Sequence, residues 1–335
     1  VEPTTRAVVP CTEHQTTTWA VQPEVLHQIA NHLIKRPSAE LLAAVPQAAS
    51  ADVPVTGGVA VISLRGLITA RPSLLSMLLG GGGGLRVFRS ALREAVASEE
   101  IGSILLDIDS PGGSTDLNNE VAAEIRSFRG SKPIIALANT VAASAAYCIA
   151  SAADEVVVTP SGRVGSIGTY LLHLDWSKFN DDAGIKPTYI SAGKYKVEGN
   201  EDEPLEDEAR AALQEMVDDY YALFVADVAA GRGVSTSAVR SGFGEGRIVT
   251  AAKAVEVGLA DRVASFESVV SKLAGTGANG GKTTSLHVAL DAAAPTSTSP
   301  TKQPEDKPTP KGQSPEEERA RIARLATARP THTTP

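Results

Sequence analysis

The chain is poor in aromatic residues, at 4% of 335, and has only two cysteines. With so few rings, the interior must be built from small and β-branched side chains packed closely. Cys11 and Cys148 fall in different regions, which argues against a disulfide framework and for a reducing compartment. No stretch reaches the roughly 18–20 continuous apolar residues of a membrane span. No basic segment followed by an apolar one stands at the start, so no secretory signal is expected. A cytoplasmic location with no membrane partner follows as the expectation. Basic residues are outnumbered, giving a net charge of −8, and no nucleic-acid partner is expected. The five glycines Gly80 to Gly84 are not followed by Gly-Lys-Ser/Thr, which excludes a phosphate loop. Of the six histidines, only His173 lies in the central part of the chain. No metal and no cofactor are expected.

What is present is an alternation of apolar runs and amphipathic stretches. The runs Val59 to Leu64, Ile104 to Ile108, Pro133 to Ala138 and Glu155 to Thr159 read as buried strands. Residues 85–98, 117–128 and 144–153 read as the helices between or after them. That order implies right-handed β-α-β crossovers and an α/β core. A long helix is expected over 206–230, with Leu213, Met216, Val217, Tyr220, Leu223 and Phe224 on one stripe. A short helix is expected within 250–263. Before the core, Trp19, Val21, Val25, Leu26, Ile29, Leu33 and Ile34 predict one or two short helices within 18–45, and 46–56 reads as a linker. Ser73 to Leu79, ahead of the glycine run, reads as a loop with an apolar tip. After about residue 274, Gly, Thr, Ser, Pro and Lys dominate, the composition of a disordered tail. A helix is expected inside that tail over 315–328, started by Ser314-Pro315-Glu316-Glu317. The domain reading is 1–56 as an N-terminal extension, 57–272 as the α/β domain and 273–335 as the tail.

Three segments carry the parts that acyl transfer needs. The first is Asn139-Thr140-Val141-Ala142-Ala143-Ser144-Ala145-Ala146-Tyr147. It places Ser144 where a strand gives way to a small-residue helix, whose N-terminus favours negative charge. A serine in that place can also be a simple helix cap, but its alanine neighbours leave room for a substrate backbone. The second is Asp109-Ser110-Pro111-Gly112-Gly113. Its glycines permit positive φ and close approach, and an N–H here could join that of Ala145 in an oxyanion hole. The third is Gly193-Lys194-Tyr195-Lys196, since a desolvated, neutral lysine can serve as base. Lys194 competes with Lys196 for that part. Cys148, four residues after Ser144, reads as a small buried thiol.

Together these segments resemble the serine peptidases of the signal peptide peptidase A (SppA) and phage protease C family. Further matches are Gly165-Ser166-Ile167-Gly168, Gly246-Arg247-Ile248-Val249-Thr250, Ala254 and Gly258-Leu259-Ala260-Asp261. The resemblance covers about residues 57–272. It implies a ClpP/crotonase-like β-α-β superhelix core. It also implies Ser144 as nucleophile, Lys196 as general base, and backbone N–H groups near Gly112, Gly113 and Ala145 as the oxyanion hole. Many cellular members have Gly-Gly after the serine; here it is Ala145-Ala146, which looks like the phage branch. The absence of an anchor and the long tail point the same way. The implied activity is that of a capsid-maturation protease acting on scaffold, portal or capsid proteins and on itself. The implied assembly is a homo-oligomeric ring in which serine and lysine can come from different protomers. Three alternatives stay open. His173 could complete a Ser/His site, the oxyanion hole could serve a CoA thioester enolate, or the chain could be a non-catalytic assembly module.

Overall fold

The computed structural model describes residues 18–21, 50–71, 84–276 and 283–289. In chain order the strands before the first helix are β1 (Trp19–Val21), β2 (Ser50–Thr56) and β3 (Val59–Arg65). Then come α1 (Gly84–Ala97), β4 (Ser103–Ser110), β5 (Gly112–Ser114), α2 (Asn118–Ser127), β6 (Ile134–Ala143) and α3 (Ala145–Ser151). They are followed by β7 (Glu155–Val158), β8 (Arg163–Gly165), α4 (Ser177–Asp182), α5 (Asp207–Arg232) and α6 (Thr236–Gly242). The last elements are β9 (Ile248–Thr250), α7 (Ala251–Val257), β10 (Arg262–Val263), α8 (Phe266–Thr276) and β11 (Thr283–Ala289). No described helix is long and apolar enough to cross a membrane.

The main sheet runs β10-β7-β6-β4-β3-β2-β11, with β8 and β9 attached beside the end of β6. From β3 to β10 its neighbours are parallel, as the crossover pattern requires. The strands β4 and β6 lie at its centre, and the apolar run within β4 is buried at every position. Such strands must be covered on both faces. One face packs on α1, α2, α3 and α5 through residues such as Leu92, Val121, Ile149 and Val228. The other packs Val59, Leu105, Leu137 and Val157 under Val269 and Leu273 of α8. The α/β core expected from the sequence is present.

Several expectations are corrected. Trp19–Val21 is a strand rather than part of a helix; its β-branched and aromatic residues favour an extended backbone. The rest of the expected helical stretch lies outside the described residues. Ser50–Thr56, within the stretch read as linker, is a strand paired with β3 and with β11. Thr283–Ala289 lies in the stretch read as tail, yet it runs antiparallel to β2 through seven residue pairs. Composition misled there, because Thr284, Leu286 and Val288 recur at every second position, as an edge strand allows, even among polar residues. The loop tip over 74–79, the helix over 315–328 and Cys11 lie outside the described residues.

The small helix α3 is pinned tightly. The Arg129 guanidinium donates to the carbonyls of Ala152 (2.9 Å), Ser151 (3.2 Å), Ala153 (2.6 Å) and Gly231 (2.8 Å). A cation at the end of α3 thus satisfies carbonyls left over by the helix and ties it to α5. Gly231 is required at that crossing, since a Cβ there would lie 2.3 Å from the Ser151 carbonyl oxygen. Gly231→Ala should therefore destabilise the fold by about 1–3 kcal/mol, the usual cost of overpacking. Thermal unfolding checks this, and an unchanged Tm would mean that α3 and α5 do not pack so closely.

Candidate active site

The site lies at the carboxyl ends of β4 and β6, where open parallel sheets usually bind ligands. Up to Ala138, β6 runs beside β7. Beyond that it pairs with β8 instead, Val141 with Arg163 through Ala143 with Gly165. The chain then turns sharply into α3 at Ser144, with φ 54° and ψ −119°. A side chain in that conformation is strained by about 1–3 kcal/mol, which persists only where the surroundings enforce it. The enforcing contact is a hydrogen bond of 2.8 Å from the Ser144 N–H to the Gly165 carbonyl. Gly165 is held in turn by Arg247, whose carbonyl accepts from the Ser166 N–H at 2.8 Å. A Cβ on Gly165 would sit 2.6 Å from that same oxygen.

Ser144 is buried and stands at the cap position of α3, but its side chain makes no capping bond. Its Oγ instead faces the Gly168 carbonyl at 3.4 Å. The N–H of Ala145, the first of α3, has no hydrogen-bond acceptor among the described residues. A hydroxyl released from capping thus stands beside an unused N–H at a helix start.

The glycine turn sits against it. The Ser110 hydroxyl donates to the Gly66 carbonyl (2.6 Å) and accepts from the Gly112 N–H (3.1 Å), fixing the bend. Gly112 has φ 102°, and a Cβ there would meet the Ala20 carbonyl oxygen at 2.2 Å and Ser144 Cβ at 3.0 Å. A Cβ on Gly113 would lie 1.8 Å from the Ile68 carbonyl oxygen. Neither position has room for any other residue.

The matching segments around 110–113, 141–147, 165–168 and 246–250 are thus joined at one place. The segment 193–196 is not. Lys196 is exposed, and its ammonium makes no hydrogen bond or ion pair among the described residues. All of 181–196 is exposed, with Ile190 99% accessible. Lys194 is bound to the Tyr195 hydroxyl (2.6 Å) and the Glu208 carboxylate (3.0 Å). Those two bonds hold its pKa above the ordinary value and keep it charged. His173 lies in a loop, with Nε2 3.0 Å from the Asn200 carbonyl. Cys148 is the buried thiol expected, and its burial pushes the pKa up, against thiolate reactivity. Tyr147 is also buried and donates to the Leu259 carbonyl at 2.8 Å, anchoring α3 to the last matching segment. Ser110 and Gly168 were missed as functional positions; both lie within matching motifs, where a hydroxyl before Pro-Gly-Gly was the available signal.

A parallel α/β core thus carries a strained, uncapped serine beside a glycine turn at the carboxyl ends of its central strands. Residues 126–279 match the family model described as Peptidase family S49, which meets the resemblance read from the motifs. The chain is 33% identical over 229 residues to "Head-tail preconnector protein GP5" of Enterobacteria phage P21, covering 66% of this chain and 43% of that protein. It is 31% identical over 217 residues to "Capsid assembly protease C" of Escherichia phage lambda, covering 65% and 49%. The chain spans less than half the length of these two curated relatives. A ClpP1 mutant from Listeria monocytogenes superimposes with a TM-score of 0.37 and 13% identity, covering 62% of this chain and 92% of that one.

Relief of strain at position 144 is testable. Ser144→Gly should be more stable than Ser144→Ala by about 1–2 kcal/mol, because only glycine adopts that backbone freely. Equal Tm values for the two variants would contradict a strained turn.

Proposed function

We propose that the chain is a serine endopeptidase with Ser144 as nucleophile and Lys196 as general base. The Ser144 hydroxyl, left uncapped beside the free Ala145 N–H, is the observation that carries this reading. Neutral Lys196 takes the Oγ proton as Ser144 attacks the scissile carbonyl. The developing oxyanion is held by the N–H groups of Ala145 and Gly113, the Gly112 N–H being engaged by the Ser110 hydroxyl, and each donor is worth about 10²–10³ in rate. The protonated lysine then gives its proton to the leaving amine, and water attacks the acyl-enzyme by the reverse relay.

Lys196 reaches the serine of a neighbouring copy. The exposed segment 181–196, with Ile185, Tyr189 and Ile190 uncovered, favours such an arrangement, because a monomer rarely leaves a contiguous apolar surface in water. The protein is accordingly a homo-oligomer, and docking desolvates the lysine. The similarity to the two phage head proteins favours a role in head maturation. Scaffold, portal or capsid proteins and the chain itself are the substrates of that role.

Ser144→Ala and Lys196→Ala should each reduce cleavage of an unfolded test protein by at least about 10³, as for removal of a nucleophile or base in related chemistry. Mixing the two inactive proteins should restore part of the activity, since an intact serine then meets an intact lysine. Full activity in Lys196→Ala would remove the lysine from the mechanism; an inactive mixture would remove the sharing between copies. Wild-type activity should rise from neutral to mildly alkaline pH, because only the unprotonated lysine accepts the proton. A flat profile would count against a lysine base.

A further inference from the structure

The short strand β1 occupies the space in front of Ser144. It is antiparallel to β5, with Trp19 opposite Ser114, Ala20 opposite Gly113 and Val21 opposite Gly112. The Thr115 N–H donates to the Thr18 carbonyl at 3.2 Å, which makes 18/115 a hydrogen-bonded pair. By the alternation of an antiparallel ladder, 20/113 is the next such pair, so the Gly113 N–H faces the Ala20 carbonyl. The other edge of β1 is bonded too. The Trp19 N–H donates to the Tyr170 carbonyl (2.9 Å) and the Tyr170 N–H to the Trp19 carbonyl (3.0 Å). Three residues thus fill a slot between two segments of the domain, held by main-chain bonds indifferent to sequence. This is how a sheet edge captures a foreign extended peptide. β1 and β5 form a two-stranded sheet apart from the main one.

The side chains read as a ligand would. Trp19 and Val21 pack on Leu67, with Tyr170 and Leu172 at the rim. Ala20 is turned to the main core and is 1% exposed. Gly112 alone separates the Ala20 carbonyl from the Ser144 side chain, since its absent Cβ would touch both.

We infer that Thr18–Val21 is a built-in occupant of the substrate strand position. A protein substrate enters as an extended strand between Gly112–Ser114 and Tyr170 only after this segment has left. The inference rests on the reading of Ser144 as nucleophile. The segment is a gate, and its pattern of large apolar, small, large apolar is the pattern the slot accepts.

The test uses binding, not turnover, on the full chain with Ser144→Ala and Trp176→Phe, which leaves Trp19 as the sole tryptophan. The probe is reduced, carboxymethylated ribonuclease A, unfolded and free of tryptophan, carrying a fluorescent label. At saturation the Trp19 emission should shift to the red as the strand is displaced. Emission that stays that of a buried indole while the probe is bound would overturn the inference. In the same background, Ala20→Arg cannot fit beside Gly112 and should bind the probe at least about tenfold more tightly, since the competent fraction rises. Circular dichroism checks that this variant is folded. Equal binding by the two chains, including none in both, would also overturn the inference. Failure of the peptidase reading has a different signature: Ala20→Arg with Ser144 intact would bind the probe tightly and leave it uncut.

Discussion

The hydrogen bond from the Ser144 N–H to the Gly165 carbonyl is the constraint on which the rest of the site depends. It draws the end of β6 away from β7 and onto β8, and so forces the turn at Ser144 into a conformation that serine avoids. Everything around that bond is arranged to sustain it. Arg129 and Gly231 clamp α3 against α5, Tyr147 ties α3 to Leu259, and Arg247 backs Gly165. A serine held this way cannot relax into a cap. Its hydroxyl is kept for another task, at the cost of local strain, which is the usual association of strained backbone with reactive positions.

Glycine at 112 and 113 is the second half of the same construction. One glycine lets a strand carbonyl approach the serine, and the other lets the turn lie flat on Ile68. The slot so formed is open to any extended backbone, and the chain fills it with its own. A three-residue strand held by main-chain bonds is a weak enough closure to be displaced by mass action.

Much of this was legible in the sequence. Ile104 to Ile108 and Pro133 to Ala138 are uninterrupted apolar runs, so both central strands were readable, as was the helix that follows Ser144. The motif glycines pointed to the turn because close approach leaves no other residue type. What could not be read has physical reasons. β1 has only three residues and its partner, Gly112–Ser114, lies more than ninety positions away, so no local periodicity marks it. β2 and β11 are edge strands whose polar faces look like linker and tail. Lys196 was readable as a residue type, but the chain leaves its side chain exposed to water rather than bonded at the serine turn.

The measurement that bears most directly on the strained, uncapped serine is covalent labelling of the assembled wild-type protein with a fluorophosphonate, followed by mass mapping. The account predicts a single adduct, on Ser144, with cleavage of test protein lost in proportion to labelling. An adduct on another residue in a chain that cleaves normally, with Ser144 unmodified, would contradict it.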